Sequence, residues 1–350
     1  MSEGLPLPRV PGPPTLEDVA CTAGVSRATV SRVINGIRNV DLAIQERVQQ
    51  AIILTGYVPN QAARSLVTRR AGSIALIVSG AGGEENLFPH QVFADPFFGR
   101  VVGGVVGFLR PLGIYPTLMF ADTPETRDQV IAYLRRGNAD GAILVSISTE
   151  DTLPQLLADA SLPAVLFARP VRPIPITYVD VAHRTGGKLA ADHLVARGRR
   201  RLATISGPLD VPASRSRLAG FQDAMAVHGH PYLPSAEGNF TLPSGEVAME
   251  RLLAEHPDLD GVFAANDLMA QGALLVLRQH GRRVPDDVAV VGFDDSSAAL
   301  ACRPPLTTVR HPVEDMAAEM GRLLLAHIEQ PDHPVTSRIF EPTLVIRESA

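Results

Sequence analysis

The first residues that could do chemistry form a short polar run near the N-terminus. Within ten positions the chain carries two arginines, three hydroxyl residues, an alanine and an asparagine, namely Ser26, Arg27, Ala28, Thr29, Ser31, Arg32 and Asn35. Arginine pairs bidentately with guanine in the DNA major groove, alanine can contact a thymine methyl group, and hydroxyls can hold phosphates. On one helix these side chains indicate sequence-specific DNA binding, and the alternative is a solvated polar face.

Local signals predict the helices that would position this run. Thr15 and Asp18 have capping-box spacing and open a first helix, which Gly24 breaks. Ser26 can cap a second helix that carries the polar run, and Asp41 can cap a third. Four further residues complete a helix-turn-helix skeleton. Ala20 is small where two helices cross, Gly24 permits the turn, and Val25 and Val30 lie on the buried side of the second helix.

The distribution of charge sets the N-terminal segment that contains these helices apart from the rest of the chain. The whole chain has 350 residues and a net charge of −5, but residues 1–72 carry +3 and the remainder −8. A basic head on an acidic body suits a DNA-binding module attached to a domain that does not touch phosphate. The chain is also long enough for two or three domains.

After residue 72 the pattern changes to short apolar strands that alternate with helical stretches, which is typical of an α/β fold. Strands that are continuously apolar are buried on both faces, which favours largely parallel sheets. The number of strands and helices exceeds that of one ordinary domain, so two lobes are predicted, with a ligand between them. The predicted strands are Ile74–Ser79, Tyr115–Phe120, Gly141–Val145, Ala164–Phe167, Leu202–Ser206, Gly261–Ala264 and Val288–Phe293.

Several other classes of protein find little support. Cys21 and Cys302 are far apart, which gives neither a disulfide framework nor metal-ligand spacing. The sequence has no signal peptide and no apolar stretch of membrane-spanning length, so a cytoplasmic protein without a membrane partner is expected. The glycines at 80–83 follow a strand as a dinucleotide loop would, but Glu85 stands where the third glycine belongs. No catalytic residue, metal or cofactor is predicted.

The chain resembles the lac repressor/galactose repressor family over almost everything after Pro14. The resemblance is carried by residues 15–36 (TLEDVACTAGVSRATVSRVING) and 56–66 (GYVPNQAARSL), and it continues at 95–98 (DPFF), 217–221 (RLAGF), 265–267 (AND), 291–295 (VGFDD) and 305–310 (PLTTVR). It implies a small all-α helix-turn-helix headpiece followed by a two-lobed α/β domain like that of periplasmic binding proteins, with parallel sheets.

The resemblance also assigns DNA-binding positions. Arg27, Ala28 and Arg32 match the operator-contacting positions of the recognition helix, and the hydroxyl residues with Asn35 match positions that hold phosphate. The segment after Pro59 matches a hinge helix that folds in the minor groove, with Asn60, Ala63, Arg64 and Leu66 at the DNA. A two-turn helix is too short to be stable alone, and a leucine wedge can kink the duplex.

In the body, the resemblance places a small-molecule effector in the cleft between the lobes. It implies as effector-binding residues Phe97, Phe98, Arg217, Phe240, Asn266 and Asp294. The loop before Arg217 offers Val211 and Ala213 in place of polar contacts, which favours a sugar-like effector over a purine. Loss of Arg217 is then expected to weaken effector binding while folding stays near wild type.

Together these features predict a transcription repressor that binds a palindromic operator as a homodimer and is controlled by a small molecule. The predicted domains are a disordered leader (1–14), the helix-turn-helix domain (15–58), a hinge helix and linker (59–72), and the effector-binding and dimerisation domain (73–350). Two alternatives are a transporter's solute-binding protein and a metabolite-binding α/β enzyme. Retention on heparin at low salt would separate them from a DNA-binding protein.

Overall fold

The computed structural model describes residues 13–34, 40–58, 70–80, 94–146, 148–330 and 332–350. The chain divides into two compact units, Met1–Gly72 and Ser73–Ala350. The predicted leader and hinge helix fall mostly outside the described residues. In the part of the chain that is described, no helix is both long and apolar enough to cross a membrane.

The first unit contains α1 (Leu16–Ala23), α2 (Arg27–Ile34) and α3 (Leu42–Thr55). The predicted capping box is confirmed, since Thr15 and Asp18 cap α1 reciprocally, and Gly24 ends α1 with the expected positive φ of 62°. Asp41 caps α3, also as predicted. The core of this unit consists of small and β-branched residues, namely Val19, Ala20, Ala23, Val30, Val48 and Ala51.

The second unit consists of two sheets with helices on both faces. The strands are β1 (Ser73–Ser79), β2 (Tyr115–Ala121), β3 (Ala142–Ser146), β4 (Ala164–Phe167), β5 (Thr177–Val181), β6 (Leu202–Ser206), β7 (Ser235–Glu237), β8 (Gly261–Ala264), β9 (Ala289–Asp294), β10 (Thr307–Arg310), β11 (Ser337–Phe340) and β12 (Thr343–Val345). The helices are α4 (Pro96–Leu109), α5 (Pro124–Arg135), α6 (Leu153–Asp159), α7 (His183–Ala196), α8 (Pro212–Val227), α9 (Leu242–Glu255), α10 (Asp267–Gln279), α11 (Ser297–Ala301) and α12 (Val313–Glu329).

Each sheet defines one lobe. The N-lobe sheet has the order β11-β5-β4-β3-β1-β2, and the C-lobe sheet has the order β12-β10-β9-β8-β6-β7. The strand pairs are parallel except that β12 runs antiparallel to β10. Apolar clusters lie on both faces of both sheets. The two-lobed fold with largely parallel sheets is therefore as predicted.

The chain passes from one lobe to the other three times. It leaves the N-lobe after β5 and enters α7, returns after β10 into α12, and crosses again between β11 and β12. The helix α12 packs with α4 over one face of the N-lobe sheet, although it follows the C-lobe in sequence. The carboxyl ends of β5, β9 and β10 thus meet where the chain crosses, which is where ligands bind in such sheets.

Candidate nucleic-acid interface and interlobe site

The helix α2 presents the predicted DNA-contacting side chains to solvent. Ser26, Arg27, Ala28 and Arg32 are exposed, Thr29 and Ser31 are half-buried, and Val30 is fully buried beneath them. The Ser26 hydroxyl accepts the backbone N–H of Thr29 at 3.1 Å, which caps the helix. One side of α2 thus holds the helix in the unit while the other is accessible.

The exposed arginine at the start of α2 already has a carboxylate partner. Arg27 Nη1 lies 2.9 Å from Glu17 Oε1, and both side chains are mostly exposed. Exposed pairs of this kind contribute about 0–1 kcal/mol, so Arg27 can exchange Glu17 for a base or phosphate at little cost. The remaining predicted DNA contacts, Asn35, Asn60, Ala63, Arg64 and Leu66, lie outside the described residues.

Arg217 is the centre of a buried polar cluster between the lobes. Its side chain is 6% exposed, and its Nη1 donates to the carbonyl of Ala265 at 2.6 Å. Its guanidinium carbon lies 3.7 Å from the centroid of the Phe293 ring, and Nη1 lies 3.5 Å from Asp294 Oδ1. Burial lowers the pKa of Arg217, and the carboxylate of Asp294 opposes that shift. An arginine remains a cation under these conditions.

His183 is an additional member of this cluster. Its Nδ1 accepts from Arg217 Nε at 3.2 Å, so the other ring nitrogen carries the proton and faces Asp180 Oδ1 at 3.4 Å. Burial lowers the pKa of His183, which keeps the ring neutral. The cluster therefore alternates carboxylate, imidazole, guanidinium and carboxylate, and this order fixes the orientation of Arg217.

Two carboxylates, Asp294 and Asp95, lie on opposite lobes and close enough for the charge of Asp294 to act on Asp95. Asp294 ends β9 with a φ of 110°, and burial raises the pKa of its carboxyl group, against the effect of Arg217. Asp95 caps α4 by accepting the N–H of Phe97 at 2.9 Å. Burial, and then the charge of Asp294, raise the pKa of Asp95 to about 6. Both acids can thus offer oxygens that bond ligand hydroxyls.

His311 lies among aromatic rings where the chain returns to the N-lobe. Its ring stacks on Phe97 at 5.8 Å between centroids and meets the Phe167 ring edge-on at 6.0 Å. It is 2% exposed, and neither ring nitrogen has a hydrogen-bond partner among the described residues. Nδ1 lies 3.5 Å from Asp294 Oδ1. Burial holds the pKa of His311 well below its usual range, so the ring is a neutral donor and acceptor beside the cluster.

The other predicted effector residues occupy different surroundings. Asn266 Oδ1 accepts the N–H of Met269 and its Nδ2 donates to the carbonyl of Phe240, both at 2.9 Å, so this amide already caps α10. Phe240 has a φ of 67° and lies against Gly207. Phe98 packs in the apolar core of the N-lobe, whereas Phe97 contacts His311. The structure brings together Phe97, Arg217 and Asp294.

Sequence reasoning missed four residues of the cluster, namely Asp95, Asp180, His183 and His311. Three of them lie at or just beyond the carboxyl ends of β5 and β10, so identification of those two strands would have pointed to the two histidines. Asp95 belongs to the 95–98 motif, but an aspartate before a helix is also a common N-cap, so the motif alone does not indicate a site residue. Among the described residues no group of three or more His, Cys, Asp or Glu could hold a metal ion.

The helix-turn-helix unit and the two-lobed unit with a polar interlobe cluster define a class, the ligand-responsive DNA-binding regulators. A profile of "Bacterial regulatory proteins, lacI family" matches residues 15–60, and one of a "Periplasmic binding protein-like domain" matches residues 191–350. The HTH-type transcriptional regulator CelR of Thermobifida fusca is 44% identical over 341 residues, which cover 96% of this chain and 98% of CelR. The HTH-type transcriptional repressor PurR of Aliivibrio salmonicida is 32% identical over 344 residues, with the same coverage. The chain therefore belongs to the lacI family of bacterial regulatory proteins.

Solved structures agree with this membership. A transcriptional regulator CelR-cellobiose complex has a TM-score of 0.73 at 42% identity and covers 96% of this chain and 100% of its own. A lac repressor dimer bound to operator and the anti-inducer ONPF has a TM-score of 0.79 at 26% identity, with 96% and 99% covered. The prediction of a DNA-binding transcription regulator that is not an enzyme is confirmed by these relatives.

Proposed function

We propose that this protein is a repressor that binds a palindromic operator as a homodimer. Binding of a saccharide between its lobes raises or lowers its affinity for the operator. The observation that carries the proposal is the interlobe cluster, in which Arg217, Asp294 and His311 lie beside the ring of Phe97. Carboxylates and guanidinium groups bond paired sugar hydroxyls, and an aromatic ring covers the apolar face of a sugar.

A disaccharide of glucose is the first effector to test. The relative at 44% identity shares its name with a protein solved as a cellobiose complex, whereas the purine-repressor relative is 32% identical. In addition, Val211 and Ala213 at the start of α8 offer no side-chain hydrogen bonds to a nucleobase. Both observations favour a saccharide over a purine.

Calorimetry with cellobiose, glucose and hypoxanthine tests the effector. We expect cellobiose binding that Asp294→Asn weakens by about tenfold or more, because a charged hydrogen-bond acceptor is lost. Asp223→Asn is the matched control, since Asp223 pairs with Arg184 on the exposed surface of the C-lobe. Binding of hypoxanthine and not of cellobiose would replace the saccharide, and equal affinities in the two variants would remove Asp294 from the site.

The N-lobe has a face that suits the proposed dimer. Tyr115 and Leu118 on the edge strand β2 are 67% and 39% exposed, and Leu112 before that strand is 55% exposed. On α4, Gly99, Gly103 and Gly107 leave open space where a side chain would be, which permits close approach of another chain. A lac repressor dimer is among the similar structures.

Sedimentation velocity and DNA selection test the dimer and its operator. We expect Leu118→Asp to weaken the dimer by about tenfold or more, because a buried apolar contact is replaced by a charge. Val227→Asp is the control, since Val227 is 85% exposed at the end of α8 in the C-lobe. Selection of bound sequences from a random duplex library should return a site with dyad symmetry. A site without such symmetry, or a wild-type monomer, would contradict the proposal.

A further inference from the structure

Arg100 lies on the N-lobe helix α4 and reaches the C-lobe. Its Nη1 donates to the carbonyl of Asp294 at 2.7 Å, and its Nη2 donates to the carbonyl of His311 at 2.8 Å. Nε and Nη2 also donate to the two carboxylate oxygens of Glu314, each at 2.7 Å. Four of the five N–H donors of the guanidinium are thus engaged, so its plane is fixed.

Arg100 and Glu314 belong to the same rigid part of the N-lobe. Their helices α4 and α12 pack closely at Gly104, where an added Cβ would lie 2.7 Å from Ala317 Cβ and 2.8 Å from the carbonyl oxygen of Glu314. The bidentate pair therefore orients the guanidinium from within the N-lobe. Its other edge is left to face the two carbonyls at the carboxyl ends of β9 and β10.

The backbone carbonyl of Asp294 faces Arg100, and its side-chain carboxylate faces the interlobe cluster. Its carbonyl is held by Arg100, while its carboxylate Oδ1 lies 3.5 Å from both Arg217 Nη1 and His311 Nδ1. Its φ of 110° is unfavourable for a residue with a side chain, so the surroundings must hold it there. A ligand that bonds the carboxylate would act on a residue whose backbone is fixed from the opposite lobe.

The two carbonyls move together because their strands are neighbours. The register pairs Arg310 with Asp294, and the His311 N–H bonds to the Asp294 carbonyl at 3.4 Å. His311 is also the residue at which the chain returns to the N-lobe. Rotation of one lobe against the other would change the distance from α4 to this strand edge, and both bonds from Arg100 would break at once.

We propose that Arg100 is a positioning residue that links occupancy of the interlobe site to the arrangement of the two lobes. The inference rests on the proposed function, since it takes the effector to bind at Asp294. By bonding carbonyls of the C-lobe, Arg100 lowers the free energy of one lobe arrangement relative to another. A ligand can shift such an equilibrium only through a difference of this kind.

The test variant is Arg100→Lys, which keeps the charge and can still pair with Glu314 but lacks the planar fork that bonds two carbonyls. The matched control is Arg322→Lys. Arg322 makes the same bidentate pair with Glu319, at 2.7 Å for both bonds, and these described bonds stay within α12.

The first measurement needs no ligand. Amide hydrogen exchange is followed at His311 and Val313, whose N–H groups bond to the carbonyls of Asp294 and His311. We expect exchange at these two amides to be about tenfold faster or more in Arg100→Lys, and unchanged in Arg322→Lys, because the opening is local. Exchange equal to wild type in Arg100→Lys would overturn the proposal.

The second measurement tests the link itself. The affinity for a DNA duplex selected with the wild-type protein is measured with and without saturating cellobiose, and the ratio of the two affinities is compared among variants. We expect Arg100→Lys to change this ratio by about fivefold or more, the effect of roughly one hydrogen bond, and Arg322→Lys to leave it alone. An unchanged ratio in Arg100→Lys would overturn the proposal. If wild-type protein binds no cellobiose, the proposed effector is wrong, and the exchange measurement still decides the role of Arg100.

Discussion

Replacement of Arg217 by methionine should destabilise the two-lobed unit strongly. Methionine keeps most of the side-chain volume but removes the charge and the donors that bond Ala265 and His183. Asp294 would then remain buried without its nearest cation in the cluster, 3.5 Å away in the native protein. Breaking a buried ion pair from one side costs about 3–5 kcal/mol. We therefore predict a loss of stability, in place of the near-wild-type folding expected from the sequence alone.

This loss should depend on pH in a defined direction. Burial already raises the pKa of Asp294, and removal of Arg217 would raise it further. The folded-state pKa then lies above the unfolded value near 4, so the ionised form costs stability as pH rises from about 4 through the folded pKa. The difference between variant and wild type should therefore be larger at pH 7 than at pH 4.

Calorimetric unfolding at several pH values measures this loss. At pH 7 we expect the melting temperature to fall by on the order of 10 °C, since 1 kcal/mol corresponds to roughly 2–4 °C in a domain of about this size. Arg184→Met is the control, because Arg184 pairs with Asp223 on the exposed side of the adjacent helices and should contribute about 1 kcal/mol or less. A methionine variant that melts with the wild type at pH 7, or whose deficit grows on acidification, would refute the reasoning.

Three further outcomes are expected. Arg27→Ala should weaken the preference for particular operator bases by about 1–3 kcal/mol. Leu66→Ala should lower the affinity for the operator and the bending of the DNA, but leave the base preference unchanged. Competition binding against a series of mutated operators separates the two effects. Asp95→Asn should raise the unfolding free energy at pH 7 by on the order of 2 kcal/mol, because ionisation of a carboxyl with a pKa of about 6 costs stability, and urea titrations should show this gain disappear below about pH 4. Gly220→Ala should cost about 1–3 kcal/mol in thermal unfolding, because its Cβ would overlap the backbone of the facing helix, whereas Val227→Ala, at a position 85% exposed, should not.

The strands with unbroken apolar runs could be predicted closely. Ala164–Phe167, Leu202–Ser206 and Gly261–Ala264 have the bounds expected from sequence, because each is fully buried and contains no charged residue. β5 and β10 were not predicted. Their sequences, TYVDV and TTVR, contain an aspartate and an arginine, and these charged residues interrupt the apolar run. The residues that enter the cluster from those strands were missed for the same reason.

The site residues assigned by family resemblance differ in how far other residues of the protein already contact them. Arg217 and Asp294 lie together, and each is bonded within the protein to a degree that residue type does not reveal. Phe97 and Phe98 are adjacent on a helix, so their side chains point about 100° apart; Phe98 is buried in the core, whereas Phe97 packs at its edge and against His311. Whether a polar residue is free for a ligand depends on long-range partners, such as the Phe240 carbonyl for Asn266.

The three crossings also set an order of events during synthesis. Most of the C-lobe is encoded continuously from α7 to β10, with its edge strand β12 coming later, whereas the N-lobe needs both the helix α12 and the strand β11 that follow β10. Until α12 emerges from the ribosome, the apolar face that receives Met316 and Met320 has no cover. We expect the nascent N-lobe to remain incomplete and aggregation-prone while the α7–β10 part of the C-lobe folds. Chain termination between β10 and α12 would accordingly yield a product retained by chaperones rather than a smaller working regulator.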